Sequence, residues 1–239
     1  MKTAIFIKTF PGDYAFLEYA LRSIERFCSG FEEVVIVAPT KDCPRTKHRG
    51  RIHVIPDHLY GYLWQQLVKL RADEFTTADH ILFHDSDCVF TQLVTPETFM
   101  RDGKIVWDYT PWPSTRSDER AAWQPVVDAW LGVPSAGSYM TRHPFVLPRW
   151  LLPKIREFCL NAHGKPLSQY VLDGYDPINM LTFSEFNCAG AYAHAYHRDQ
   201  FVWRDTTKEP ISPPVIHQEW SRGGLTPEVR SRLEEILSR

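Results

Sequence analysis

Apolar and polar positions along the first half of the chain alternate between two periods. Ala4 to Phe10 is an apolar-rich run broken by Pro11 and Gly12, which predicts a first strand, with Asp13 placed as a helix N-cap. Phe16, Ala20, Ile24 and Phe27 then recur at helical spacing and give one apolar face that runs to Cys28. Val34 to Ala38 is an unbroken apolar run, as expected of a strand buried on both faces, and Pro39 ends it. Ile52 to Ile55 predicts a third strand stopped by Pro56, and Tyr60 to Phe75 a helix with Leu63, Leu67 and Leu70 on one face. Ile81 to Phe83 then predicts a fourth strand, which ends in His84, Asp85, Ser86 and Asp87. Strand and helix in alternation predict a largely parallel, doubly wound sheet, whose ligands sit at the carboxyl ends of the strands. The acidic pair falls at such an end, and His84 is expected only to pack.

Thr95, Pro96 and Glu97 read as a helix start, Gly103 as a stop, and Lys104 to Tyr109 as a further strand. Beyond it Trp107, Trp112, Trp123, Trp130 and Trp150 crowd among prolines, together with Tyr109, Tyr139 and Phe145. Such a supply serves a core or a stacking platform for sugar or base rings, and both readings stay open. Ser117 to Leu131, Leu147 to Leu160, Leu167 to Leu172 and Thr182 to His197 predict helices, and Val202 to Arg204 a strand. The polar run from Asp205 to Pro214 reads as a loop able to act as a flap. Val215 and Ile216 lead into His217, and Thr226 with Pro227 opens a last helix docked by Val229, Leu233 and Ile236. One domain over 1–239 is expected, and the chain shows no repeats.

Composition narrows the class. Hydrophobic residues at 44% and charged residues at 23% are ordinary for a globular chain of 239 residues. No run of about 18 apolar residues predicts a membrane span. The formal charge of −2 gives no overall attraction to nucleic acid. One local exception is the stretch Lys41 to Arg51, where Lys41, Arg45, Lys47, Arg49 and Arg51 form either a solvated loop or a phosphate contact. Five scattered cysteines without a C-x-x-C pair point to reduced thiols, and with the absence of a signal segment to a cytoplasmic location.

Taken in order, these features resemble the GT-A fold glycosyltransferases, which transfer a sugar from a nucleotide-sugar donor. Asp85-x-Asp87 after Ile81, Leu82 and Phe83 is similar to the family's D-x-D motif at the end of its fourth strand. Gln66 and Lys69, on the helix leading into that strand, are similar to a donor-binding pattern. His217 stands where many members supply a late metal ligand, and Glu185 resembles the acidic residue that inverting members place near the acceptor hydroxyl.

The resemblance implies a Rossmann-like, mostly parallel sheet, with residues 1–109 as a nucleotide-sugar half and 110–239 as an acceptor-side half. It implies Mn²⁺ or Mg²⁺ held by Asp87 and His217, with Asp85 at the ribose or a metal-bound water. The donor is a nucleoside-diphosphate sugar, with a UDP-sugar preferred, and Lys69, Arg49 or Arg51 would neutralise its phosphates. Glu185 is the base for inversion, the preferred outcome. The acceptor is a hydroxyl on a glycan or small molecule, or on a hydroxymethylated base in DNA, for which the basic stretch and the aromatics speak. Other classes use the same paired carboxylates: a metal-dependent nucleotidyltransferase or phosphohydrolase, and a non-catalytic nucleotide-sugar binding module.

Overall fold

The structure is a computed structural model that describes residues 1–45, 50–58, 61–141, 143–176, 181–209 and 214–239. The chain opens with β1 (Thr3–Lys8), α1 (Tyr14–Phe27), β2 (Glu33–Ala38), β3 (Gly50–Val54), α2 (Gly61–Lys69) and β4 (His80–Phe83). β5 (Cys88–Phe90), β6 (Met100–Arg101), β7 (Lys104–Pro111), α3 (Ser117–Leu131), β8 (Gly137–Ser138) and β9 (Phe145–Pro148) follow. The remainder is α4 (Leu151–His163), α5 (Leu167–Asp173), α6 (Glu185–Tyr196), β10 (Phe201–Asp205), β11 (Ile216–Gln218) and α7 (Pro227–Ser238).

The central sheet has the order β3-β2-β1-β4-β9. Its first four strands are parallel, and β9 adds antiparallel to β4. β1 is the middle strand, and all of its residues are buried, which is why its sequence is apolar at nearly every position rather than alternating. The expected mixed α/β architecture with a mostly parallel sheet flanked by helices is therefore present. A second sheet, β10-β7-β6 with β8 on β7, carries the aromatic-rich half, and β11 pairs antiparallel with β5.

Several expectations are corrected. Leu147 to Leu160 is not one helix: Phe145–Pro148 is β9, and the helix starts at Leu151. Four buried apolar residues in a row satisfy the open edge of β4, and Pro148 ends the strand. Thr95 to Glu97 opens a single 3-10 turn over Pro96–Phe99, with Thr95 and Thr98 forming a capping box. The helix expected through Phe75 ends at Lys69 and is followed by a separate 3-10 turn at Ala72–Glu74. Cys88–Phe90 is a short buried strand that the pattern did not announce. The stacking-platform reading of the aromatics fails for Trp112, Trp130 and Tyr139, buried in the core; Trp107 and Phe145 are also largely buried, Trp107 stacking on Trp203 at 5.6 Å, but both border a cavity. All five cysteines are free thiols. No helix among the described residues is long and apolar enough to cross a membrane.

Candidate functional site

The parallel strands β1 and β4 end side by side, since Phe6 pairs with Phe83. Their carboxyl ends therefore deliver Lys8, Thr9 and His84 to Asp87 to one edge of the sheet. The loop after β1 sends Asp13 across to this edge. Asp13 makes no side-chain cap to α1; it is buried and accepts a hydrogen bond from Ser86 Oγ at 2.8 Å through Oδ2, while its Oδ1 has no partner. His84 is buried as expected, stacked on Phe90 at 4.6 Å, with Nε2 against the Cys88 carbonyl at 2.9 Å. Burial pushes its pKa down to about 4, so it is neutral at ordinary pH.

Lys69 occupies the middle of the site. It is the last residue of α2 and is 4% exposed, and its Nζ lies 2.9 Å from Asp85 Oδ1 and 3.2 Å from Glu185 Oε1. Burial alone would lower its pKa, but the two carboxylates outweigh that and hold it above the ordinary lysine range. Burial likewise disfavours the ionised form of Asp85, yet Lys69 and His143 hold that carboxyl well below the usual carboxylate range. His143 Nε2 stands 3.4 Å from Asp85 Oδ2. Burial lowers the His143 pKa in turn, against the opposing pull of the Asp85 carboxylate. Both oxygens of Asp85 are thus engaged by the protein itself.

Glu185 begins α6, and the helix start is braced by Gln66: the Glu185 backbone N–H donates to Gln66 Oε1 at 3.0 Å. Gln66 is 1% exposed, so its expected role at the donor becomes a structural one toward Glu185, although its Nε2 has no partner. Tyr62, one turn earlier on α2, lies within electrostatic reach of Glu185, Lys69, Arg222 and Asp85, and its phenol is pushed up to about 12, first by burial. On the far side of His143 a cavity of about 380 Å³ opens, walled by Asp108, Trp107 and Phe145 as well as His143 itself.

Asp87 is held differently. Gln218 Nε2 donates to its Oδ1 at 3.3 Å and the Ser221 N–H to its Oδ2 at 3.4 Å, both long contacts. Its pKa is pushed up to about 6 by burial and then by the neighbouring Asp85 and Asp13 carboxylates. A divalent cation would relieve this excess of negative charge, and hard cations are commonly held by one or two carboxylates with phosphate oxygens and water as the other ligands. Asp87 fits that role, with Asp85 as the adjacent carboxylate. His217 does not join it. The register of β11 on β5 places Gln218 opposite Cys88 and puts the Gln218 amide at Asp87, whereas the His217 Nε2 turns to Glu219 Oε1 at 2.9 Å. Among the described residues no group of three ligating side chains forms a metal cage.

The cations expected at phosphate are also redistributed. Arg51 lies on β3, where its guanidinium meets Glu33 Oε2 at 2.7 Å and the Phe75 carbonyl at 3.1 Å, at the start of β2 and so at the opposite edge of the sheet. Arg49, with residues 46–49 of the basic stretch, lies outside the described residues. Of the proposed flap, Asp205 ends β10 and caps Thr207 through its carboxylate, and residues 210–213 lie outside the described residues. The structure therefore brings together Asp85, Asp87, Lys69, Glu185 and Gln66, and adds Asp13, Tyr62 and His143, which sequence reading missed. Asp13 was legible as a polar residue at a strand end, but it reads equally well as a cap. Nothing local marks His143, which lies far along the chain from Asp85. No family model matches the chain, and no curated protein matches it.

Proposed function

We propose that the chain is a metal-dependent glycosyltransferase that moves a sugar from a nucleoside-diphosphate sugar to a hydroxyl acceptor. The observation that carries this reading is the single buried ammonium of Lys69 joining Asp85, at the carboxyl end of β4, to Glu185, at the start of α6. Two carboxylates with separate tasks are thereby held in one fixed relation, one on the donor side and one on the acceptor side. Positioning of this kind supplies much of the catalysis in a group transfer.

In this reading Asp87, beside Asp85, would hold Mn²⁺ or Mg²⁺, whose chemistry is to neutralise the charge that develops on the departing diphosphate. Asp85, fixed by Lys69 and His143, orients the donor side of the site. Glu185 accepts the proton of the acceptor hydroxyl as its oxygen bonds to the sugar carbon and the bond from that carbon to the diphosphate breaks. The products are the glycosylated acceptor and a free nucleoside diphosphate. The cavity that His143 lines would give room for a ring-sized group next to Asp85.

A thermal-shift series with UDP-, GDP-, ADP- and CDP-sugars, each with and without Mn²⁺, tests the reading. A ligand at a hundred times its Kd stabilises the native state by about 2.7 kcal/mol. For a chain of this length that is a rise in Tm of roughly 5–10 °C. The expected result is one nucleotide that shifts Tm only with the cation, and no shift in Asp87→Ala. A shift unaffected by chelator and by that substitution would overturn the metal assignment. Release of pyrophosphate instead of nucleoside diphosphate would replace sugar transfer by nucleotidyl transfer.

A further inference from the structure

A diphosphate brought to this edge of the sheet meets Asp85, Asp87 and Glu185, and two of the cations expected to offset them, Lys69 and Arg51, are committed elsewhere. Lys69 is buried between two carboxylates, and Arg51 is bound to Glu33. The turn that follows β11 offers another cation. Its first residue, Glu219, donates its backbone N–H to the Asp87 carbonyl at 2.9 Å, and Ser221 donates to the Asp87 carboxylate at 3.4 Å. The Glu219 carboxylate is held by His217 at 2.9 Å and by Arg232 of α7 at 2.8 and 3.1 Å. Gly224, at φ 72°, turns the chain toward α7, a conformation that favours glycine.

The turn is thus fixed at Asp87 on one side and at α7 on the other, and between these anchors it exposes Arg222. Among the described residues the Arg222 side chain has no hydrogen-bond or ion-pair partner. Its charge is nevertheless felt at the Tyr62 phenol, which also feels Glu185, Lys69 and Asp85. Arg222 follows directly on Ser221, whose N–H meets the Asp87 carboxylate at 3.4 Å, so the turn carries it to the edge of the acidic cluster. A guanidinium presents a planar fork of donors that matches phosphate oxygens two at a time, and an exposed one gives up less hydration than an ammonium to do so.

We propose that Arg222, carried on the turn clamped to Asp87, is a phosphate-binding residue of this site and grips the diphosphate of the ligand from the solvent side. The inference rests on the donor reading above and adds to it a residue on the C-terminal side of the chain. In this arrangement Asp87 has two tasks: its side chain faces the cation, and its backbone and carboxylate also seat the turn that carries Arg222.

Titration calorimetry with inorganic pyrophosphate and with UDP, GDP, ADP and CDP, all in Mn²⁺, separates the two claims. Loss of a hydrogen-bonded charge contact weakens binding roughly tenfold to a hundredfold. Arg222→Ala is expected to lose that much affinity for pyrophosphate and for the preferred nucleoside diphosphate, with Arg222→Lys between it and the wild type. The matching nucleoside without phosphates should bind both proteins equally. Arg239→Ala, at the far end of α7, serves as a control for the loss of one surface charge and should bind as the wild type does. Unchanged diphosphate affinity in Arg222→Ala, with the wild type binding normally, overturns the Arg222 assignment alone. Failure of the wild type to bind any of the phosphate probes overturns the donor reading and this inference together.

Discussion

At the residue scale, the two carboxylates of Asp85-x-Asp87 separate into different roles because their surroundings differ. Lys69 and His143 occupy Asp85 and keep it ionised, whereas Asp87 has no ion-pair partner among the described residues and feels two other carboxylates. Asp87, raised to about 6, stands above its unfolded value of roughly 3.9, so it contributes stability that is fully present below about pH 4 and lost as pH rises through 6. Asp87→Asn should remove that loss and keep one acceptor oxygen for the Ser221 N–H, with the Gln218 amide turned to accept from the new NH2 group. Urea unfolding of the metal-free proteins across pH is expected to show the variant gaining on the wild type between about pH 4 and 6, by about 2–3 kcal/mol at neutral pH. A difference that does not vary with pH would show that Asp87 does not titrate in this way. Asp85 shifts in the opposite sense, and its contribution is lost on acidification.

At the scale of elements, α6 positions Glu185, and its own position depends on one close approach. A Cβ built on Gly190 would stand 2.4 Å from Tyr139 Cβ and Cγ, so the helix packs here against a ring with no space for a methyl group. Tyr139 cannot retreat easily: it is fully buried, its backbone N–H donates to Asn187 Oδ1 at 2.7 Å, and its hydroxyl meets His194 Nδ1 at 2.8 Å. Gly190→Ala is therefore expected to push α6 outward at a cost of about 1–3 kcal/mol, lowering Tm by several degrees in a calorimetric scan. An unchanged Tm would mean that the α6 contact is softer than its geometry shows. Gln66 ties the same helix to α2, so a displacement of α6 reaches the ion pair of Lys69 with Glu185 directly.

At the scale of the molecule, the last helix closes a circuit from the surface back to the site. α7 packs on α1 through buried Leu233, Ile236 and Leu237, and Arg22 holds Glu234 with two hydrogen bonds at 2.7 Å. From α7, Arg232 reaches Glu219, whose N–H meets Asp87. A chain shortened to residues 1–226 loses these three apolar anchors, each worth about 1.5–3 kcal/mol of burial. Against a total of roughly 5–15 kcal/mol, such a loss is expected to drop Tm by more than 10 °C or to leave the chain unfolded in a thermal scan followed by circular dichroism. A Tm near that of the full chain would show α7 to be a dispensable cover.

The sequence by itself determined the alternation of strands and helices, the buried run of β1, the N-cap of α7 at Thr226, and the arrival of two carboxylates at the end of β4. Each of these is set by local periodicity or by a residue's own backbone preference, which is why each was legible. Tertiary structure decided the partners. The distance in sequence between Lys69 and Glu185, or between Asp85 and His143, carries no local signal; the meeting of α2, β4 and α6 joins the first pair, and the pairing of β9 with β4 joins the second. His217 illustrates the converse: a short strand near it was legible, but His217 lies within that strand rather than after it, and strand register and the nearby Glu219 carboxylate set the direction of its imidazole. The aromatics divided for the same reason, because composition counts rings, whereas burial between the packed elements decides which of them can meet a ligand.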